Sequence, residues 1–302
     1  MSGSEFPESD PIVHEPRRYA RTVARIFWRN IVRLMRHPHP SEAWPLSFPN
    51  RTPDLWAGWL GHATVLLNLF GSRVLTDPLL GKRVGIIPRL VRLPLPVEKL
   101  PALDAVVITH AHLDHLDLGS LKRLPRQATL VVPSGCADLV EGLGFPLVEL
   151  GWGQEAQIGE MSVRAFRPRH WGRRPPFGGE RGYNAYLLTR RGWSVLVAGD
   201  SAYTDAYRRE CQGRHVGLAL LPIGCYSPRF FRRAHLTPED ALRIFEETGA
   251  DYMLPIHWGT LLISLEPPAE PARRLMAEAR RRGLADRVSL VWPGGAFTYP
   301  GS

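Results

Sequence analysis

Cysteine is scarce in this sequence, and its distribution excludes one class of protein. The chain of 302 residues has three cysteines, Cys136, Cys211 and Cys225. The number is odd, and the spacings match neither a disulfide framework nor a metal motif. Such usage is typical of a protein from a reducing compartment. We therefore expect neither a disulfide-stapled secreted domain nor a cysteine-ligated metal.

Long apolar runs are also missing. The first ten residues are acidic and polar, without an apolar core of signal-peptide length. No later run approaches the roughly eighteen apolar residues of a membrane-spanning helix. We expect a cytoplasmic protein that does not span a membrane, and attachment to its inner face depends on the segment described next.

Acidic residues are absent from Arg17 to Arg36, where arginine occurs seven times. Apolar residues recur there at helical spacing and fall on the face opposite the arginines, which predicts a basic amphipathic helix. Pro38 and Pro40 end it, since proline donates no amide hydrogen and disfavours helix before it. The helix is suited to lie in an anionic membrane interface. Alternatively, its apolar face packs on the domain or on a second subunit, as in a homodimer.

The rest of the composition indicates a globular protein with anionic partners. Hydrophobic residues make up 44% of the chain, which supports a substantial core. The formal charge of +9 implies attraction to phosphorylated substrates, nucleic acid or an acidic membrane face. Charge alone does not choose among them. The sequence has no aromatic platform of the RNA-binding type, and its arginines concentrate in one helix, so nucleic acid is not favoured.

The pattern of apolar segments changes after the arginine-rich region. Short apolar runs separated by Gly and Pro alternate with helix-like segments, which predicts a layered α/β sandwich. We divide the chain into an N-terminal arm, 1–53, that carries the amphipathic helix, and one hydrolase domain, 54–302. Within the domain, residues 82–96 are expected to form a basic, proline-rich loop.

One short stretch, Thr109–Asp117, concentrates metal-ligand side chains directly after an apolar run. His110 and His112 are two residues apart, so in an extended segment their imidazoles project to the same side and can share a metal. Asp114 and His115 follow as the chain turns, and they can serve a second ion. Imidazole and carboxylate ligands suit two Zn²⁺ ions, with Mn²⁺ or Fe as alternatives.

The spacing His110-x-His112-x-Asp114-His115 resembles the motif of the metallo-β-lactamase superfamily of dinuclear hydrolases. The resemblance implies an αββα sandwich with the metals at one edge between the sheets. It also implies His170 and His257 as further ligands and Asp200 as a bridge between the ions. One ion would have His110, His112, His170 and Asp200, and the other would have Asp114, His115, Asp200 and His257.

Alternative roles remain open for several of these residues. His170 could be an ordinary surface or core histidine, and Asp200 could cap a helix. Asp77, at a predicted strand end, is expected to accept an N–H from a ligand histidine and fix its tautomer. It could also be an ordinary turn carboxylate before Pro78.

Further segments resemble the N-acylphosphatidylethanolamine-hydrolysing phospholipase D branch of that superfamily. They are Trp59–Thr64, which contains His62, together with Leu75–Pro78, Pro222–Arg229, Ile256–Thr260 and Glu266–Pro268. The resemblance implies that His62 lies just outside the ligand set and that His235 contacts the substrate phosphate. Alternatively, His235 only precedes the helix that opens at Thr237.

The resemblance implies a phosphodiesterase that cleaves N-acylphosphatidylethanolamine-like phospholipids through a metal-bridging hydroxide. Asp114, Asp200 and His235 would carry the catalysis. Gly178–Arg191 lacks a Trp-rich stretch expected of the animal enzymes, which leaves acyl-chain and headgroup specificity open. The alternatives are a hydrolase similar to L-ascorbate-6-phosphate lactonase, acting on a soluble phosphorylated substrate, and a metal-dependent nuclease.

Overall fold

The architecture follows from a computed structural model, which describes residues 15–36, 40–49, 53–174 and 179–300. The helices are α1 (Pro16–Arg36), α2 (Leu118–Leu121), α3 (Ala137–Val140), α4 (Ala206–Cys211), α5 (Pro238–Thr248) and α6 (Glu270–Arg282). The strands are β1 (Leu55–Gly61), β2 (Thr64–Leu69), β3 (Ser72–Thr76), β4 (Arg83–Val84), β5 (Ile87–Pro88), β6 (Ala105–Val107), β7 (Thr129–Pro133), β8 (Leu147–Leu150), β9 (Glu155–Ile158), β10 (Met161–Phe166), β11 (Ala185–Arg190), β12 (Trp193–Val197), β13 (His215–Pro222), β14 (Tyr252–Ile256) and β15 (Ala296–Thr298).

Two large mixed sheets form the centre of the described chain. The first has the strand order β15-β1-β2-β3-β6-β7-β8 and the second has the order β14-β13-β12-β11-β10-β9. Strands β3, β6, β7 and β8 run parallel, as do β12, β13 and β14. The predicted αββα sandwich of the α/β class is confirmed.

The side chains of the first sheet alternate between two hydrophobic clusters, which explains why its strands are apolar on both faces. Val65 and Leu67 of β2 belong to the cluster shared with the second sheet. Leu66, between them, belongs to the cluster under α2 and α3. A strand covered on both faces reads as a continuous apolar run rather than as alternating polar and apolar residues.

The second sheet is covered on its outer side by α4, α5 and α6, which pack beside one another. Helix α5 begins with a capping box in which Thr237 accepts from the Asp240 backbone N–H and Asp240 accepts from that of Thr237. The helix then ends at Gly249, which has a left-handed φ of 67°. The predicted start of this helix at Thr237 is therefore seen.

The arginine-rich segment forms α1, as predicted, and of the two prolines expected to end it, Pro38 lies outside the described residues. Ile26 and Asn30 are buried on one side, whereas Trp28 is 68% exposed and Val32 is 44% exposed. Among the described residues, no helix is both long and apolar enough to cross a membrane.

Two local expectations differ from the structure. The strand before the metal motif, β6, ends at Val107, so His110 and His112 do not lie on a continuous strand; His110 forms only an isolated bridge with Tyr183. The segment 82–96 is not wholly loop, because it contains the β4–β5 hairpin. Strands of two residues are too short to produce a periodic pattern in the sequence.

Arg89, just after this hairpin, is a buried cation whose hydrogen bonds all go to backbone carbonyls. Its Nε donates to Val91 O at 3.0 Å, Nη1 to Leu79 O at 2.6 Å and Nη2 to Leu60 O at 2.8 Å. Burial lowers the pKa of Arg89 to about 10. One guanidinium thus joins three separate segments beside the turn that carries His62, and it fills the space next to Gly61.

Replacing Arg89 by Ala should lower the free energy of unfolding by about 2–4 kcal/mol, because three buried carbonyls lose their donors and a void forms. Arg92→Ala is the control, since Arg92 is exposed and its ion pair with Glu42 lies at the surface. Urea unfolding followed by circular dichroism measures both. Equal midpoints for the two variants would contradict this role of Arg89.

Candidate metal centre

The predicted ligands converge because the strands that precede them end at one edge of the sandwich. The parallel strands β12 and β14 end just before Asp200 and His257, and β3 and β6 end near Asp77 and His110. Carboxyl ends of parallel strands meet at the same edge of a sheet, which is where α/β proteins bind ligands. His170 follows β10 and His62 follows β1, so both sheets contribute.

Three buried histidines form a first group: His110, His112 and His170. His110 Nε2 lies 2.8 Å from His112 Nδ1, and His170 Nε2 lies 3.4 Å from the same nitrogen. His170 Nδ1 donates to Ala234 O at 2.9 Å, which leaves its Nε2 unprotonated in the neutral ring. The three rings therefore point ring nitrogens at one small volume.

A second group adjoins the first and contains His62, Asp114, His115 and His257. His115 Nε2 and His257 Nε2 are 3.2 Å apart. His62 Nε2 donates to Asp114 Oδ2 at 2.9 Å. We expected His62 just outside the ligand set. In the structure one of its ring nitrogens lies close enough to the ligand atoms of the other three residues to bind the same ion, and His62 also contacts Asp114.

Asp200 lies between the two groups. Its Oδ2 is 3.4 Å from His115 Nε2 and 3.2 Å from His257 Nε2. The same oxygen is 3.4 Å from His235 Nε2, and Asp200 also groups with His110 and His170. A carboxylate in this position can contact cations on both sides.

Asp77 orients one ring in each group: it contacts His115 directly and His110 through Thr109. Its Oδ2 accepts from His115 Nδ1 at 2.7 Å, and its two oxygens accept from the Thr109 N–H and hydroxyl, each at 2.7 Å. The Thr109 hydroxyl lies 3.0 Å from His110 Nδ1 and can accept its hydrogen. This network places protons on the Nδ1 atoms, so that Nε2 of His110 and of the neutral His115 ring are the lone-pair donors.

The electrostatics of the site favour neutral imidazoles and ionised carboxylates. Burial lowers the pKa of His62 and that of His112 to about 3, and burial together with neighbouring imidazoles lowers the pKa of His110 and His170. Burial opposes ionisation of Asp200, but His257 and His115 hold its pKa well below the ordinary value.

His115 is the exception among these rings, because its pKa is raised rather than lowered. Burial would lower the pKa of His115, but the carboxylates of Asp200, Asp77 and Asp114 raise it well above the ordinary value. Three carboxylates around one buried point create the potential that a cation requires.

The donor set fits divalent metal ions. His112 Nδ1 faces Nε2 of both His110 and His170, at 2.8 and 3.4 Å, and one proton on it can bond to only one of them, whereas a cation between the three rings contacts all three nitrogens. Tetrahedral zinc, with Zn–N bonds of about 2.0–2.1 Å, holds its nitrogens roughly 3.3 Å apart. His112 Nε2, His257 Nδ1 and Asp200 Oδ1 are buried and have no hydrogen-bond partner within the described chain.

Backbone strain concentrates at this centre. Within the described residues, six non-glycine positions have positive φ, and four of them, His62, Asp77, Cys225 and His257, lie in or beside the two groups. Such conformations cost of order 1–3 kcal/mol and persist where surrounding contacts fix them. Cys225, for example, is held because its N–H donates to Glu266 at 2.6 Å.

Two residues that support the site, Arg174 and Glu266, are not indicated by any pattern in the sequence. Arg174 Nη1 donates to Ala111 O at 2.7 Å and Leu116 O at 2.9 Å, and so spans the loop that carries the motif. Glu266 accepts from Cys225, Ser227 and Ser264. Glu266 belongs to a segment that carries the resemblance, but spacing gives it no role, because two of its three partners, Cys225 and Ser227, are distant in sequence.

A cavity of about 440 Å³ opens onto the metal centre. His112, Asp114, Asp200 and His235 contribute to its polar end. Apolar residues form most of the remaining wall, namely Val23, Ile26, Phe27, Ile31, Val84, Ile86, Ile87, Leu113, Trp171, Phe230, Phe231, Leu262 and Ile263. Its volume is in the range typical of sites for small organic ligands. We call it the chamber.

His235, predicted to contact a substrate phosphate, is at the boundary between the chamber and the metal centre. Its Nδ1 can donate to Phe231 O at 3.2 Å, and Nε2 faces Asp200. All the residues predicted from the sequence to form the site are thus close together in the fold.

Comparison with known proteins agrees with this geometry. The model of the "Beta-lactamase superfamily domain" family matches residues 72–258, more than half of the chain, and the match includes every predicted metal ligand. A solved structure, the isothiocyanate hydrolase from Delia radicum gut bacteria, superposes with a TM-score of 0.66 at 20% identity, covering 81% of this chain and 99% of that one. At this identity the likeness concerns the fold.

Three relatives are similar in sequence. An uncharacterised protein of Mycobacterium tuberculosis is 33% identical over 269 residues, 83% of this chain and 72% of that protein. The N-acyl-phosphatidylethanolamine-hydrolyzing phospholipase D 1 of Caenorhabditis elegans is 32% identical over 68% of this chain and 64% of its own length. The mitochondrial enzyme of the same name from Saccharomyces cerevisiae is 31% identical over 76% of this chain and 53% of its own length.

This chain therefore spans somewhat more than half of each named phospholipase D. These relatives support the predicted branch, and the predicted superfamily is confirmed. On its family match, its fold and its relatives, the chain belongs to the β-lactamase superfamily of metal-dependent hydrolases.

Proposed function

We propose that the protein is a dinuclear metal-dependent phosphodiesterase of the phospholipase D type, acting on N-acylphosphatidylethanolamine-like phospholipids. The observation that carries this proposal is the direct opening of a His/Asp metal centre into a largely apolar chamber. A ligand that fits both parts combines an anionic, hydrolysable group with a long apolar chain. The names of two relatives point to the same substrate class.

The residues of the two groups would hold the metal ions, with Asp200 between them. His110, His112 and His170 would serve one ion, and Asp114, His115 and His257 would serve the other. This set of nitrogen and oxygen donors suits zinc, with manganese or iron as alternatives. Bound divalent ions supply two kinds of chemistry: they lower the pKa of water towards about 7, and they polarise phosphoryl oxygens.

The chain's own side chains would position the substrate and move protons. Water adds to phosphorus, and the P–O bond to the headgroup alcohol breaks, which leaves phosphatidic acid and the free alcohol. Asp114 and Asp200 would accept the proton of the water. His235, at the boundary of chamber and metal centre, would donate to a phosphate oxygen or to the departing alkoxide.

We also propose that the outer side of α1 binds an anionic membrane surface. Trp28 and Val32 are exposed beside Arg21, Arg25 and Arg29, which are exposed as well. Ile86, at the tip of the β4–β5 hairpin, is 71% exposed, and the residue also lines the chamber. Apolar side chains flanked by arginines suit insertion among anionic headgroups, and the chamber mouth would then meet the bilayer.

Replacing Asp200 by Ala should abolish binding of at least one metal ion and lower the hydrolysis of bis-p-nitrophenyl phosphate by about a thousandfold or more, because the only carboxylate between the described groups is lost. Metal content by mass spectrometry and initial rates test this. Asp205→Ala, an exposed carboxylate in the same connection, is the control. Retained metal and retained rate in the Asp200 variant would refute the assignment.

Replacing Asp77 by Asn should weaken metal binding or activity by about 10–100-fold, because Asn can present an N–H where His115 Nδ1 needs an acceptor. Asp104→Asn is a matched control: Asp104 also accepts a backbone N–H, from Arg73, but far from the metal centre. Metal titration and rates of both variants decide the matter. Equal behaviour of the two would show that Asp77 is an ordinary turn carboxylate.

Vesicle binding should depend on α1 and fall steeply with salt, since each arginine near anionic lipid contributes on the order of 1 kcal/mol. The assay compares sedimentation of the full chain and a chain that starts at Ser41, with and without phosphatidylglycerol. Trp28→Ala should weaken binding as well. If both chains bind equally, α1 has no membrane role.

A further inference from the structure

Helix α1 contributes one complete face to the chamber. Its chamber-lining residues are Val23, Ile26, Phe27, Asn30 and Ile31. These positions follow the spacing i, i+3, i+4, i+7 and i+8, which is one stripe of an α-helix. The helix thus forms a wall of the site opened by the metal centre.

Asn30 is the polar residue of this stripe. It is 4% exposed, and its Nδ2 donates to Leu262 O at 2.6 Å and to Ser264 O at 3.1 Å. Both partners are carbonyl oxygens, so the nitrogen of the side-chain amide must be on their side and the oxygen on the other. The orientation of the Asn30 amide is therefore fixed by its contacts.

The Oδ1 atom of Asn30 is left as a buried acceptor that receives no hydrogen bond within the described chain. A buried polar atom without a partner is costly, and such atoms in native proteins usually have a reason. The atom is covered by its neighbours, but Asn30 lines the chamber, so a ligand that enters and displaces those neighbours can provide the missing donor.

The segment whose carbonyls bind Asn30, residues 262–264, is itself hydrogen-bonded through Glu266 to residues beside the metal centre. Ser264 Oγ donates to Glu266 at 2.7 Å, and Glu266 accepts from the Cys225 and Ser227 N–H groups. Cys225 also lines the chamber. Asn30 is thus held in a defined position relative to the catalytic end, as a specificity contact requires.

We propose that Asn30 is a substrate-contacting residue whose Oδ1 accepts a hydrogen bond from the amide N–H of an N-acylated phospholipid headgroup, with the N-linked chain against the α1 wall. This inference rests on the proposed function and deepens it. Ester-linked lipids of the same shape lack that donor. A site that hydrogen-bonds a substrate N–H discriminates against an analogue without it, because its acceptor would stay unpaired.

The test compares three lipids in detergent micelles: N-palmitoyl phosphatidylethanolamine, its N-methyl amide, and an analogue with an ester oxygen in place of the N–H. The metal-loaded wild-type enzyme should show a kcat/KM about tenfold or more lower for both analogues. In Asn30→Leu and Asn30→Ala, the kcat/KM for the amide lipid should fall to the value for the ester lipid, so that the preference for the amide is lost.

Asn68→Ala is the matched control, because Asn68 is also a buried asparagine whose Nδ2 donates to a carbonyl, Pro53 O, and whose Oδ1 receives no hydrogen bond within the described chain, but it does not line the chamber; it should keep the wild-type amide preference. Hydrogen exchange of 16–36 checks that α1 stays docked in the Asn30 variants. If α1 undocks in these variants, the wild-type comparison still tests whether the site recognises the amide N–H, and equal rates there would overturn the proposal.

Equal rates on amide and ester lipids in the wild type would overturn the role of Asn30 and leave the phosphodiesterase standing. Hydrolysis of bis-p-nitrophenyl phosphate with no lipid turnover would overturn the acyl-chain chamber as well. Absence of metal-dependent hydrolysis of any phosphodiester would instead refute the proposed function itself.

Discussion

The mutual approach of buried imidazoles and carboxylates is the constraint on which the rest of the structure depends. Two adjoining groups of ligand side chains share one small volume, and Asp200 lies between them. Ring nitrogens that compete for the same protons, with three carboxylates around His115, are poorly stable without cations. The network through Asp77 and Thr109 then makes this arrangement specific, because it decides which nitrogen of His110 and His115 keeps its lone pair.

The sandwich supplies what the site needs from the fold, which is a single edge where many strands end. Strand ends place the ligands to within a few ångströms, and strained positions such as His62 and His257 provide the final adjustment. That strain has to be offset elsewhere. Apolar faces on both sides of the first sheet and buried donors such as Arg89 tie the adjacent turns to the core.

The class of fold and most members of the candidate ligand set could be predicted because they depend on short-range spacing and on a recognisable motif. His110, His112, Asp114 and His115 lie within six residues, so one segment reveals them. The place of His62 in the second group could not be predicted, since it depends on a contact with Asp114 that spans 52 positions. Arg174 and Asn30 were missed for the same reason. The Asn30 contact with Leu262 spans 232 positions, and no local pattern encodes it.

The sequence left open whether α1 faces a membrane or packs on protein, and the structure indicates how one helix can serve both. Ile26 and Asn30 are buried against the body, whereas Trp28 and Val32 point outward. Val23 and Phe27 lie between these sides: both line the chamber, yet they are 42% and 36% exposed. Because Val23 and Phe27 both line the chamber and contact solvent, they lie at its mouth. If the outer side of α1 meets a bilayer, an acyl chain could pass from the lipid phase to the chamber along apolar contacts alone, without the free-energy cost of exposing its methylene groups to water.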